Sequence, residues 1–147
     1  MTREENFRAS FISQFGPYSG WQHTERIDMK KIPLSSIPSY SIDLGKTKYT
    51  AVDLAGKAIA GEQEFTTTVY YTLPLRGTVG AYLNHSDIMN MIEQFMNNPL
   101  YIPPPVFPGD PCRIDRTMLL GARAPVIQFG ETRYAVSIAC KYVFTIF

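Results

Sequence analysis

The chain closes on a run that leaves little choice of secondary structure. Every even position from Tyr134 to Ile146 is apolar: Tyr134, Val136, Ile138, Cys140, Tyr142, Phe144 and Ile146. The odd positions carry Arg133, Ala135, Ser137, Ala139, Lys141, Val143, Thr145 and Phe147. A period of two sends alternate side chains to opposite faces, which predicts a β-strand with one face on a core. At about 3.3 Å per residue, Arg133–Phe147 would reach roughly 50 Å, where an ordinary strand has about 5–6 residues. A strand that long in a small domain is expected to outrun its own core. Its last residues, Phe144 to Phe147, are then expected to meet a neighbour.

Composition narrows the class. The 147 residues suit one domain with a sizeable core. Charged residues make up 18%, below the typical level of about 25%, which leaves more surface for protein contact. A net charge of +1 supplies no basic field for nucleic acid. Nine tyrosines and nine phenylalanines suit a β-rich chain. Met1–Ser10 is charged and polar, unlike a signal peptide, and no apolar run approaches the roughly 20 residues of a membrane span. Synthesis in the cytosol is expected. Cys112 and Cys140 read as reduced thiols in or near the core; a disulfide would need their Cα atoms within about 7 Å.

The rest of the chain alternates helical and strand patterns. Arg3–Phe15 predicts a short helix, with Thr2 as N-cap, Glu4 and Glu5 in the first turn, and an apolar stripe of Phe7, Phe11, Ile12 and Phe15. Gly16-Pro17 should end it. Tyr18 to Pro38 reads as irregular. Ser39–Leu44 predicts a short strand closed by a turn at Gly45-Lys46, and Thr47–Gly61 reads mostly as loop. Gln63–Leu75 is the second strong strand, with Phe65, Thr67, Val69, Tyr71, Leu73 and Leu75 on one face. Asn84–Asn97 is the clearest helix, capped by Asn84 or Ser86 and striped by Ile88, Met91, Ile92, Phe95 and Met96. Cys112–Ala122 is a third strand candidate. Gly130-Glu131 predicts a turn between Pro125–Phe129 and the final strand. Pro125–Phe129 is too short to pair with all of that strand, so Glu64–Leu75 or another subunit must supply the remainder. The order predicts an α+β fold: a mainly antiparallel sheet packed by two helices, with long loops.

No motif points to catalysis, a cofactor or a metal. His23 and His85 lack Cys, His or carboxylate neighbours at ligand spacing. Gly-x-Ser-x-Gly is absent, and Leu44-Gly45-Lys46-Thr47 lacks the earlier glycine of a phosphate loop. Between Ile102 and Pro111 five prolines force an extended course. That segment is either a crossover wrapping the sheet or an arm laid on a neighbouring subunit; Leu100, Tyr101, Ile102, Val106 and Phe107 must bury somewhere. The methionines of the second helix (Met89, Met91, Met96) read most simply as core.

Element order carries a resemblance. An N-terminal helix, the proline-preceded strand Ile37-Pro38-Ser39-Tyr40-Ser41-Ile42, the long strand Glu64–Leu75, the helix Asn84–Asn97 after it and two closing strands together resemble the tail-terminator (tail-completion) family of tailed bacteriophages. The resemblance covers most of the chain and carries no functional residue by motif. It implies a non-enzymatic virion protein of the tail or neck, assembled in the host cytoplasm, without cofactor. It further implies a homo-oligomeric ring, typically a hexamer, between the tail tube protein and the head-side connector. On this reading the subunit interface takes in Leu100, Tyr101, Ile102, Val106, Phe107, Phe144, Ile146 and Phe147. Strand addition would join the subunits, and deleting Thr145–Phe147 should leave a folded chain that does not assemble. Another head-completion or minor tail protein is the nearest alternative. A small-ligand or enzyme domain is a more distant one, its pocket placed between helix Asn84–Asn97 and the sheet and holding His85 or His23.

Overall fold

A computed structural model describes residues 3–25, 38–76, 80, 82–97, 112–121 and 124–146. The fold is α+β, with two helices on a mostly antiparallel, strongly curled sheet. Helix α1 spans Arg3–Ser19 and α2 His85–Asn97. The strands are β1 (Gln22–His23), β2 (Ser39–Val52), β3 (Ala58–Thr72), β4 (Leu75–Arg76), β5 (Tyr82–Leu83), β6 (Cys112–Leu119), β7 (Ile127–Gln128) and β8 (Arg133–Ile146). In the main sheet they lie in the order β1-β2-β3-β8-β6, with β7 also on β8; β4 and β5 pair separately. Among the described strands only β1 runs parallel to its neighbour.

The terminal run is a strand, and its even positions face the core: Val136, Cys140, Tyr142 and Phe144 are fully buried. The expectation that its end lacks a partner is corrected. β3 pairs with it from Thr72↔Arg133 to Ala60↔Thr145, and β6 covers the other edge of its C-terminal half down to Cys112↔Ile146. The pairing is available because β3 begins at Ala58, inside the stretch expected to be loop. Thr145 also donates to Asp115 Oδ2 at 2.6 Å, so removing Thr145–Phe147 would strip contacts from the fold itself.

Other boundaries shift, with β3 stopping at Thr72 and β6 at Leu119. Helix α1 runs through Gly16 and Pro17, stopping at Gly20, where the backbone turns left-handed (φ 76°) and its N–H returns to Gly16 O. Strand β2 does not turn at Gly45-Lys46 but passes through an irregularity between Leu44 and Thr47. Across the sheet, the buried Gln63 donates to Gly45 O at 3.2 Å and accepts from the Tyr142 hydroxyl, which holds that bulge in place.

Phenylalanines four residues apart on α1 join helix to sheet. Phe7 stacks on Tyr142 with ring centroids 4.1 Å apart, Phe7 and Phe11 both meet Phe65, and Phe15 meets Tyr40 and Phe95. From α2, Ile88, Ile92, Phe95 and Met96 complete the core, as their spacing predicts, whereas Met91 is only half-buried and Met89, off that stripe, is buried. Cys112 and Cys140 are buried free thiols.

Candidate interaction surface

Past Gly45, β2 is largely exposed, although Arg3 of α1 still reaches Tyr49. The tip of the β2–β3 hairpin is a tight turn built by one side chain. Asp53 Oδ1 accepts from the N–H groups of Ala55 (2.9 Å) and Lys57 (2.8 Å), while the Asp53 N–H donates to Lys57 O. Gly56 takes the left-handed conformation this turn requires (φ 79°) and donates to Asp53 O. The turn holds Leu54 wholly in solvent, at 109% relative exposure, flanked by Val52 at 62% and Tyr49 at 55%. Ile59, on the returning strand, is also exposed. Lys46, Lys48 and Lys57 are exposed on the same arm.

The base of the arm is anchored. Lys141 pairs with Glu62 at 3.0 Å. Arg3 lies 4.0 Å above the Phe144 ring, and its Nε donates to the Tyr142 hydroxyl at 3.2 Å. Burial holds the Tyr142 phenol above its ordinary pKa even beside that guanidinium. Tyr49 covers the edge of Phe144, with ring centroids 6.3 Å apart.

The other two exposed large apolar side chains among the described residues are Tyr82, on β5 of the small β4–β5 sheet, and Ile127, on β7 beside the start of β8. Glu131 is exposed in the β7–β8 turn, its carbonyl accepting from the Gln128 side chain. Tyr71 shares a hydrogen bond with His85 Nδ1, and both rings lie against Tyr134. Burial, with Tyr134 next to it, pushes the Tyr71 phenol up to about 12.

The residues named from sequence fare differently. Leu100, Tyr101, Ile102, Val106, Phe107 and Phe147 lie outside the described residues. Phe144 is a correction: it is fully buried under Arg3 and beside Gly61, so it serves this domain's core and offers a neighbour no surface. Ile146 is half-buried against the core. His85 and His23 are taken up by packing, the former on Tyr71 and Tyr134 and the latter on Tyr40. Among the described residues no three His, Cys, Asp or Glu side chains converge to hold a metal, and no helix is long and apolar enough to cross a membrane. The residues that sequence reasoning missed are Tyr49, Val52, Leu54 and Ile59. Their signal was an Asp-x-x-Gly turn at Asp53–Gly56 between two short β-prone runs.

No protein-family model matches this chain, and no curated protein matches it either.

Proposed function

We propose that the protein is a structural subunit that works by self-assembly, and that its place is the tail or neck of a tailed bacteriophage, as a tail-terminator-like ring. The observation that carries the assembly reading is the β2–β3 arm. Leu54 stands fully in water with Val52 and Tyr49 exposed on the same arm, and exposed apolar side chains gathered on an ordered scaffold are what a protein contact buries. The low charge content agrees with a large contact area. The phage assignment rests on the order of elements: an N-terminal helix, the strands β2 and β3, a second helix after them and closing strands that end in β8. On this reading the subunits form a ring, typically a hexamer, between the tail tube protein and the head-side connector, and the chain performs no chemistry.

Native mass spectrometry of the purified chain, with negative-stain microscopy of the same sample, tests this. A discrete homo-oligomer seen as rings is expected. A chain that stays monomeric at high micromolar concentration overturns the assembly reading.

A further inference from the structure

Beyond Tyr40, where its pairing with β1 stops, β2 is held along one edge by β3 and has no other strand beside it among the described residues. It crosses the irregularity between Leu44 and Thr47 and then runs largely exposed to Val52. The course of that outer strand therefore depends on what fixes the irregularity.

What fixes it is a hydrogen-bond relay whose direction is forced. The Gly45 carbonyl can only accept, so Gln63 turns its Nε2 toward it, at 3.2 Å. That sets Gln63 Oε1, an acceptor, against the Tyr142 hydroxyl, which must donate. The hydroxyl oxygen is left to accept, and Arg3 Nε, which can only donate, meets it at 3.2 Å. Gln63 is 2% exposed and Tyr142 0%, so water is no substitute for either partner. The relay runs from a group that only donates, at the start of α1, to one that only accepts, at the root of the arm. A second line of contact ends on the same strand: the Arg3 guanidinium lies 4.0 Å over Phe144, and Tyr49 of β2 meets both.

We infer that Arg3 is the positioning residue of the arm. Through Tyr142 and Gln63 it fixes the bulge at Gly45, and with it the course of Thr47–Val52 and the direction in which Leu54 is held out. The inference concerns the single chain and stands whether or not that chain assembles.

Hydrogen–deuterium exchange of the full chain, resolved by fragment, tests it, with native mass spectrometry confirming one oligomeric state for all samples. In the wild type the amides of Thr47–Val52 should exchange faster than those of Ile88–Met96 in α2, because the arm opens on its own. Arg3→Met keeps an unbranched stem over Phe144 and deletes the donor; Tyr142→Phe keeps the ring on which Phe7 stacks and deletes the hydroxyl. Each should speed exchange of Thr47–Val52 about tenfold or more, the scale of one lost hydrogen bond to a charged group or in its relay. Asn84→Ala, which loosens α2, should leave the arm rate unchanged. A group that merely supports the core would speed the α2 amides and leave the locally opening arm as it was; that result in either variant overturns the inference. So does a wild type in which arm and α2 exchange at one common rate. Tyr142→Phe decides alone if Arg3→Met does not fold.

Discussion

A β-carbon added to Gly61 would lie 2.6 Å from the Phe144 ring and 2.8 Å from the Lys48 carbonyl oxygen. The root of the arm therefore depends on a missing side chain on one strand and a large ring on the next. Phe144 cannot swing away, because Arg3 covers it and its exposure is 0%. Gly61→Ala should destabilise the fold by about 1–3 kcal/mol, the usual cost of overpacking. Urea denaturation reads this directly, and an unchanged midpoint would show that the ring has room to move.

Phe144→Ala should cost more, about 3–5 kcal/mol, since it empties a fully buried site. The loss should appear in the unfolding of the monomer at low concentration. A variant that unfolds like the wild type but no longer associates would instead return Phe144 to the subunit interface.

The start of α2 is held by a reciprocal pair. The Asp87 N–H donates to Asn84 Oδ1 and the Asn84 N–H donates to Asp87 Oδ2, both at 2.9 Å. Asn84→Ala should remove about 1 kcal/mol, whereas Ser86→Ala should be near neutral, because Asn84 is the cap. Thermal melts of the two variants side by side decide which residue caps the helix.

Alkaline pH should weaken the fold in two stages. Burial pushes the Cys140 thiol from 9.0 up to about 12 and the Tyr71 phenol from 10.0 up to about 12. The unfolded chain releases these protons first, near pH 9 and then near pH 10, while the folded chain keeps both until about pH 12. In that window the unfolded state binds fewer protons, so stability falls as pH rises; below pH 9 both contributions are fully present. Cys140→Ala should remove the stage that begins near pH 9. An identical pH profile in the variant would place the cause elsewhere.

Much of the fold is legible in the residues alone. The period-two pattern of Arg133–Phe147 and of Gln63–Leu75 is local, and it survives in β8 as far as Ile146 and in β3 as far as Thr72, because one face of each strand meets the core; Leu75 falls instead on β4. The stripe of Ile88, Ile92 and Phe95 and the Asn84 cap are also local, and α2 follows them. The candidate surface was less legible. Tyr49, Val52, Leu54 and Ile59 sit in a stretch of weak alternation, broken by two further register shifts after Tyr49, so no clean period marks the arm.

What the sequence determined by itself was therefore the character of each strongly patterned segment and the face it buries, because periodicity is written within one element. What only the tertiary structure decided was the range of the pairing. Gly45-Lys46 resembles a turn until Gln63, from the neighbouring strand, takes the Gly45 carbonyl and turns the break into a bulge. With that, β2 continues into the arm, β3 starts early enough to meet the end of β8, and Phe144 becomes core. Those outcomes depend on groups far apart in the chain, which no local pattern encodes.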